Sequence, residues 1–364
     1  MSLTSVRLSN SFFGVRKFKR ISDILLLNSL KVIEVRRKRI LMIWKKIAFF
    51  YIFTFLAVVP ALHAQSSWNQ IKNGATSDLV AVYFTSAERG FIGGDKGYLA
   101  QTTDGGKTWA QQLINADEDI NEIYFRNDKN GYVVAGKKMF LTDNGGHSWR
   151  EIKIYDPKSF RTAAPEFLSV RFADKKRGLI VGSLLNKNDE VIDSLVMRTD
   201  DGGETWWRVI VPSKLELFHL VFVGSSRGWI VGDKGLILTT QDGGLSWQKQ
   251  TSGVDTTLYN VDFRDSEEGY VVGGKGTILR TENGGETWEL VKTNFPSTFL
   301  RVDFADDKNG WIVGYGGTIL RSSDKGRTWI KQESNSKENL YGLFMMKKYG
   351  WAVGAKGLIV QYQK

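Results

Sequence analysis

The run Gly269-Tyr-Val-Val-Gly-Gly-Lys-Gly-Thr-Ile-Leu-Arg280, followed at once by Thr281-Glu-Asn-Gly-Gly-Glu-Thr-Trp288, decides how this chain is organised. Short apolar stretches alternate with Gly-rich segments, which is the pattern of short strands joined by tight hairpins. The second half of the run recurs six times and always ends in tryptophan: Thr102–Trp109, Thr142–Trp149, Thr199–Trp206, Thr240–Trp247, Thr281–Trp288 and Ser322–Trp329. Such an internal repeat indicates a repeat architecture.

Each repeat reads as four short strands, here named a to d. Strand a ends at a phenylalanine, as in Val261-Asp-Phe263, and strand b follows a Gly–aromatic pair such as Gly269-Tyr270. Strand c is the Thr-Ile-Leu segment, and strand d is expected to start at the motif tryptophan. Units of about 40 residues with four strands are typical of β-propeller blades.

The spacing predicts the number of blades. The strand-a phenylalanine precedes the motif tryptophan by 25 residues in four units, and 16 residues usually separate that tryptophan from the next phenylalanine. The seventh unit has strands a to c, with strand a expected to end at Phe344, and no motif tryptophan follows. Trp68 lies 16 residues before Phe84, so a strand over residues 67–72 should complete the last blade. We predict an all-β, seven-bladed β-propeller of four-stranded blades over residues 65–364, closed by its N-terminal strand so that no sheet edge is left open.

The repeated motif residues are interpreted as scaffold. The Asp or Asn side chain can accept hydrogen bonds within the turn, and the large tryptophan can fill the space between blades. Because Asn replaces Asp twice, a turn acceptor explains these positions better than the alternative, a calcium ligand. The turn positions are Asp104, Asn144, Asp201, Asp242, Asn283 and Asp324. The blade-packing tryptophans are Trp68, Trp109, Trp149, Trp206, Trp247, Trp288 and Trp329.

The formal net charge of +11 comes from the N-terminal segment. Residues 1–46 contain twelve Lys or Arg and two Asp or Glu, and the rest of the chain has 38 basic and 37 acidic residues. Bulk charge therefore gives no reason to expect a nucleic-acid partner. The sequence contains no cysteine, which excludes disulfides and thiolate metal sites.

Residues 42–64 read as a secretory signal peptide: two lysines, an uncharged apolar run and a small residue at Ala64. The alternative is an anchor that is not cleaved. Residues 1–41 form a basic extension ahead of this signal, interpreted as a wrongly assigned start or, alternatively, a long targeting segment. The mature chain is expected to be exported, either periplasmic or secreted.

The longest connections fall on one face of the predicted ring. In a four-stranded blade the b–c turns and d–a loops share a face, here called the b–c face. Unit three is longer than the others near residues 183–195 and 155–166, both on that face. The turns of that face also carry Lys96, Lys138, Lys234, Lys275 and Lys356, with Tyr315 in the sixth blade. We interpret them as a lysine collar that attracts acidic groups of a partner; the alternative is a set of ordinary hairpin turns with solvated lysines.

No catalytic constellation is evident, and no metal or cofactor is expected. His147 lies in a repeat turn and His219 stands alone in a strand, so a His-based triad or metal site is not indicated. Asp262 and Asp303 could face the channel as a carboxylate pair, but repeat identity explains them as well.

The motifs match the Asp-box, or BNR, repeat of sialidases and other propellers, although the Arg-Ile-Pro signature of sialidases is missing. The complete unit resembles more closely the photosystem II stability and assembly factor family, over residues 67–364. This resemblance implies an exported, non-catalytic and monomeric binding protein on the lumenal side of a membrane. Such a protein would act as a chaperone-like factor for a subunit of a membrane complex. A carbohydrate-binding or glycan-cleaving propeller and an adhesive surface module are the alternatives.

Overall fold

The computed structural model of the protein describes residues 68–160 and 162–363. In this part of the chain, the strands form seven antiparallel sheets of four strands each, which confirms the predicted seven-bladed β-propeller. The strands of blades one to three are β2 (Leu79–Phe84), β3 (Gly90–Gly94), β4 (Leu99–Thr102), β5 (Ala110–Gln112), β6 (Ile120–Phe125), β7 (Gly131–Ala135), β8 (Lys138–Thr142), β9 (Arg150–Ile152), β10 (Ala164–Phe172), β11 (Gly178–Leu185), β12 (Val191–Thr199) and β13 (Trp207–Val209).

Blades four to seven continue the same order. Their strands are β14 (Leu217–Val223), β15 (Arg227–Gly232), β16 (Ile237–Thr240), β17 (Gln248–Gln250), β18 (Leu258–Phe263), β19 (Gly269–Gly273), β20 (Ile278–Thr281), β21 (Glu289–Leu290), β22 (Phe299–Phe304), β23 (Gly310–Gly314), β24 (Thr318–Ser322), β25 (Ile330–Gln332), β26 (Leu340–Met345), β27 (Tyr349–Gly354), β28 (Ile359–Gln363) and β1 (Trp68–Ile71). Short 3-10 turns are Asp95–Gly97, Pro157–Phe160, Asp233–Gly235, Gly274–Gly276, Tyr315–Gly317 and Ala355–Gly357.

The first strand closes the ring, as the spacing predicts. Strand β1 pairs antiparallel with β28, and Trp68 lies opposite Tyr362. Trp68 is fully buried, and its indole N–H donates to Gln332 Oε1 of the neighbouring blade at 3.0 Å. The closing strand is therefore held by side-chain packing as well as by its sheet.

Stacked aromatic side chains join neighbouring blades at five of the seven junctions. At the junction of blades five and six, Tyr270 stacks on Phe304 with ring centroids 4.6 Å apart, and Trp329 meets Phe304 edge-on at 6.1 Å. The junction between the last and first blades repeats this arrangement, because Trp351 stacks on Phe84 at 3.5 Å. The partners are a strand-b aromatic of one blade and the strand-a phenylalanine of the next, which explains their spacing in the repeat.

The glycine ahead of each strand-b aromatic makes room for the strand-a ring of the same blade. At Gly269, an added Cβ would lie 2.7 Å from ring carbons of Phe263. The glycines at this position in the first six blades thus reflect close packing of a phenylalanine against bare backbone, and Gly350 of the seventh blade packs against Met345 in the same way.

Three details differ from expectation. In the seventh blade Met345, not Phe344, takes the core position at the end of strand a, because β26 runs to Met345. In the six blades with a complete motif, strand d begins one or more residues after the tryptophan. The additions to blade three lengthen β10, β11 and β12 and add the 3-10 turn at Pro157–Phe160, rather than forming two irregular loops.

The predictions for residues 1–41 and 42–64 lie outside the described residues and stay predictions. Among the described residues, no helix combines the length and apolar character needed to cross a membrane.

If Trp68 holds the ring closed, Trp68→Ala should lower the free energy of unfolding by about 3–5 kcal/mol, because it empties a fully buried indole site. Urea denaturation followed by tryptophan fluorescence measures this change. Trp207→Ala is the matched control, because the Trp207 side chain is 43% exposed and should contribute about 0.5 kcal/mol or less. Equal losses in both variants would contradict the role given to Trp68.

Candidate functional site

The repeated turns between strands c and d are closed by their own side chains. Asp242 Oδ1 accepts hydrogen bonds from Thr240 Oγ1 and from the backbone N–H of Ser246, and Oδ2 accepts from Ser246 Oγ at 2.6 Å. Burial is the largest single influence and opposes ionisation, but the hydrogen bonds from Ser246, Thr240 and Leu245 together outweigh it and lower the pKa of Asp242 to about 2. Both oxygen atoms of the carboxylate thus accept hydrogen bonds from within the turn.

The two asparagine versions keep the same geometry. Asn144 Oδ1 accepts from the Ser148 N–H at 3.1 Å, while Asn144 Nδ2 donates to Ser148 Oγ at 2.8 Å. Asn283 makes the equivalent bonds with Thr287. Because an amide satisfies this turn as well as a carboxylate does, the geometry matches the expected acceptor role. The described residues hold no group of three or more His, Cys, Asp or Glu side chains able to bind a metal ion.

The b–c turns of blades one, four, five, six and seven share one backbone conformation. Lys96, Lys234, Lys275 and Lys356 all lie in the left-handed region, with φ between 52° and 56°. Gly316 holds the corresponding position in blade six with φ 66°. This conformation costs a non-glycine residue about 1 kcal/mol. Four blades therefore carry a lysine where glycine would be the less strained residue.

The turns are tethered to the blade that follows. Asp119 accepts a hydrogen bond from the Lys96 backbone N–H, and Asp78 accepts one from the Lys356 N–H, each at 2.9 Å. Asn339 does the same for Gly316. The lysine backbone is thus anchored, and its side chain extends from a rigid turn.

The lysines of the collar differ in their ionic partners. Lys138 Nζ lies 3.2 Å from Asp117, and Lys356 Nζ lies 2.9 Å from Glu338. In the described part of the chain, Lys96, Lys234 and Lys275 make no ion pair within 4.0 Å. The positive charge of the collar is therefore concentrated on part of the ring.

Two collar lysines line one groove. Lys234 of blade four and Lys275 of blade five border a groove of about 790 Å³ together with Lys249 of strand β17. The d–a loop over residues 251–256 forms its floor. Lys249 was not singled out in the sequence, because its position in strand d carries no repeated signal.

Tyr315 lies in the b–c turn of blade six, one residue before the position that the lysines occupy in the other turns. Gly316 is the residue that corresponds to the lysines. The Tyr315 ring is half-buried, and burial together with the nearby Tyr259 and Tyr341 raises its pKa above the usual range. Its expected place among the partner-binding side chains stays a prediction.

The extended hairpin of blade three projects from the b–c face. Its tip is closed internally, since Asn186 Nδ2 donates to Glu190 Oε2 and the Glu190 N–H donates to Asn186 Oδ1. Asp193 pairs with Arg208 of the same blade at 2.6 Å. The hairpin is a rigid ridge beside the collar.

The centre of the ring is a polar cavity of about 180 Å³, lined by the strands a. Glu122 Oε1 lies 2.6 Å from Arg171 Nη1, and Arg171 Nη2 lies 2.8 Å from Nε2 of His219. His219 is therefore not isolated, as the sequence suggests, but packs against residues of two other blades. Burial and the Arg171 cation lower the pKa of His219 to about 4, so the ring is neutral and accepts from Arg171.

These channel side chains satisfy backbone groups of the innermost strands, whose inner edges have no neighbouring strand. Glu122 Oε2 accepts from the Val170 N–H at 2.7 Å, and Asn260 Oδ1 accepts from the Val302 N–H at 3.1 Å. Asp303 Oδ2 accepts from the Met345 N–H at 2.6 Å. A structural reason thus exists for polar residues in the channel, because an unpaired buried N–H is destabilising.

Asp262 and Asp303 do face the channel from neighbouring blades. Burial raises the pKa of Asp262 to about 6, and burial together with the negative charge of Asp262 raises the pKa of Asp303 well above its usual range. Arg301 also lines the cavity, where burial lowers its pKa. Glu122, Arg171 and Arg301 were missed in the sequence. Arg171 directly precedes the phenylalanine that ends its strand a, as Asp262 and Asp303 do, and Glu122 and Arg301 each lie two residues earlier in theirs.

With this geometry established, comparison with known proteins identifies the family. The family model described as "Photosynthesis system II assembly factor YCF48" matches residues 60–158, 159–252, 246–299 and 291–363. The chain belongs to this family. The resemblance seen in the repeat unit is thereby confirmed.

Among curated relatives, the Photosystem II assembly lipoprotein Ycf48 of Synechococcus sp. (strain RCC307) is 37% identical over 68 residues. The match spans 19% of this chain and 20% of the relative. A solved structure described as "YCF48 bound to D1 peptide" superposes with a TM-score of 0.67 at 21% identity, covering 82% of this chain and 97% of the other. The GH74 xyloglucanase of Xanthomonas campestris gives a TM-score of 0.63 at 12% identity, over 81% of this chain and 53% of the enzyme. At these identities, the structural likenesses show the fold alone.

Because the turn accepts either an acid or an amide, Asp242→Asn should leave the melting temperature nearly unchanged at neutral pH. Asp242→Ala should lower it, because the turn N–H and hydroxyl groups lose their acceptor. Differential scanning calorimetry of the two variants tests this pair. A similar loss in both variants would mean that the charge itself matters, as a cation ligand would require.

The carboxyl pair of the channel predicts a pH-dependent stability. Folding raises the pKa of these carboxyl groups, so the folded protein favours their protonated form. The free energy of unfolding therefore falls as the pH rises from about 4, where the unfolded chain ionises, through about 6, where Asp262 ionises in the folded protein. Asp303→Asn should therefore raise the melting temperature at about pH 7.5, and the gain should vanish at about pH 4. Thermal unfolding followed by circular dichroism measures this difference. Asp255→Asn, at an exposed position, serves as control, and an equal gain from Asp303→Asn at both pH values would refute the explanation.

Proposed function

We propose that this protein is a non-catalytic, chaperone-like factor that binds a newly made subunit of a membrane protein complex during its assembly. The observation that carries this proposal is the family match, which extends over the whole described propeller. A relative in the family is named a photosystem II assembly lipoprotein, and a YCF48 structure of the same fold holds a D1 peptide. We infer that the partner of this chain is likewise a protein segment, and that the chain acts at the exported face of a membrane.

The absence of catalysis is proposed on the geometry of the channel. Its ionisable residues are engaged with one another and with backbone N–H groups of the next blade. Burial raises the pKa of Asp262, and burial together with the negative charge of Asp262 raises the pKa of Asp303, which explains both perturbed pKa values without a substrate. The match to a xyloglucanase extends to the propeller fold only, so it supplies no argument for glycan cleavage.

We place the partner-binding surface on the b–c face. This face carries the lysine collar on rigid turns and the ridge of blade three beside it. Long connections on a rigid scaffold are where proteins usually bind their partners. The opposite face consists of the motif turns, whose carboxylates are occupied internally.

The proposal is tested by crosslinking and capture from host envelope with the tagged chain from residue 65 onward. The variant Lys96→Glu, Lys234→Glu, Lys275→Glu and Lys356→Glu should lose a membrane-complex subunit that the wild type captures, because its collar repels acidic groups. Quantitative mass spectrometry of captured proteins measures the loss.

The matched control carries the same charge change on the opposite face. Its substitutions, at exposed positions, are Lys107→Glu, Lys129→Glu, Lys176→Glu and Lys308→Glu. Retention of the subunit by the control and loss by the collar variant supports the proposal. Capture of the same proteins by both variants, or of no membrane-complex subunit by the wild type, argues against it.

A further inference from the structure

We propose that the groove formed by Lys234, Lys249 and Lys275 binds an extended acidic peptide segment of the partner protein. This inference deepens the proposed function and rests on it, because it assumes that the partner is a protein engaged on the b–c face. The inference assigns partner binding to one site at the junction of blades four and five, rather than to the whole lysine collar.

The distribution of charge around the collar selects this junction. Lys356 and Lys138 are paired with Glu338 and Asp117, and blade six contributes Gly316 instead of a lysine. Lys96 makes no ion pair among the described residues, but it does not line the groove. Lys234 and Lys275, also without a carboxylate within ion-pair distance, are the two collar lysines that share a groove with a third lysine, Lys249.

The lining of the groove suits a peptide with carboxylate groups. Its three lysines face one exposed carboxylate, Asp255, so the groove keeps an excess of positive charge. Thr251, Thr256 and Thr277 also line it, and their hydroxyls can donate hydrogen bonds to carboxylate or backbone oxygen atoms. Its volume of about 790 Å³ lies within the range of known ligand-binding clefts.

The edge of blade four favours an extended segment over other anions. Strand β17 is the outermost strand of its sheet, and it contributes Lys249 and Gln250 to the groove. An edge strand offers backbone N–H and C=O groups to a peptide that lies alongside it. A nucleic acid or a phospholipid headgroup would use the lysines without using this edge.

The backbone of the two turns makes the inference testable without unfolding the protein. Lys234 and Lys275, like Lys96 and Lys356, have φ between 52° and 56°, in the conformation that blade six reaches with Gly316. A lysine kept in a conformation that favours glycine indicates a use for its side chain. Replacement of these lysines by glycine removes the charge and also relieves the backbone, so a loss of binding is separable from a loss of folding.

The test uses the chain from residue 65 onward and a fluorescent peptide of about ten residues that alternates Glu and Ser, with a Lys–Ser peptide as its opposite. Fluorescence anisotropy is measured at about 50 mM and about 300 mM NaCl. The double variant Lys234→Gly and Lys275→Gly should bind the acidic peptide at least about tenfold more weakly, with an unchanged or higher melting temperature. The matched variant Lys96→Gly and Lys356→Gly should change the affinity less than about twofold, since Lys356 is already paired.

Several outcomes would overturn the inference: equal weakening in both double variants, equal binding of the Lys–Ser peptide, or equal binding of a single-stranded oligonucleotide of the same charge. Envelope capture separates this inference from the proposed function. If the wild type captures a membrane-complex subunit and the Lys234→Gly, Lys275→Gly variant still does, the groove is wrong and the assembly role stands. If the wild type captures no such subunit, the proposed function fails, whatever the peptide does.

Discussion

Each blade of this protein is a twisted four-stranded sheet that cannot bury both of its faces alone, and the aromatic junction between blades removes this difficulty. At five of the seven junctions a strand-b ring stacks on the strand-a phenylalanine of the next blade, and the motif tryptophan meets the phenylalanine edge-on, as Tyr270, Phe304 and Trp329 do. The glycine beneath each phenylalanine allows the close approach. Because a junction needs a neighbour on each side, stability requires a closed ring.

Closure has consequences at the centre and at the rim. At the centre, seven strands a meet with their inner edges unpaired, so side chains such as Glu122, Asn260 and Asp303 take over backbone hydrogen bonds. At the rim of the b–c face, the turns are fixed to the next blade by Asp78, Asp119 and Asn339. Lys96 and Lys356 therefore extend from turns whose backbone is hydrogen-bonded to the neighbouring blade.

The fold was predictable in detail because the interactions that build it repeat along the sequence. The interval between Trp68 and Phe84 equals that between later tryptophans and phenylalanines, so even the closing strand could be placed. The seventh strand a was misplaced by one residue, because Met345 fills the core position that phenylalanine marks elsewhere. Features that occur once in the chain were harder to interpret. The additional residues of blade three were predicted to form loops, but in the structure they extend strands β11 and β12.

The candidate site was less predictable from the sequence than the fold. The sequence alone determined the seven blades, the role of the motif residues as turn acceptors and the family of the chain, since each depends on local spacing and residue type. Only the tertiary structure decided which lysines lie within ion-pair distance of a carboxylate, that Lys249 lines a groove with Lys234 and Lys275, and that Tyr315 is half-buried. The physical reason is that electrostatic partners are neighbours in space, and a closed ring brings together residues such as Glu122, Arg171 and His219, whose distances along the chain give no sign of contact.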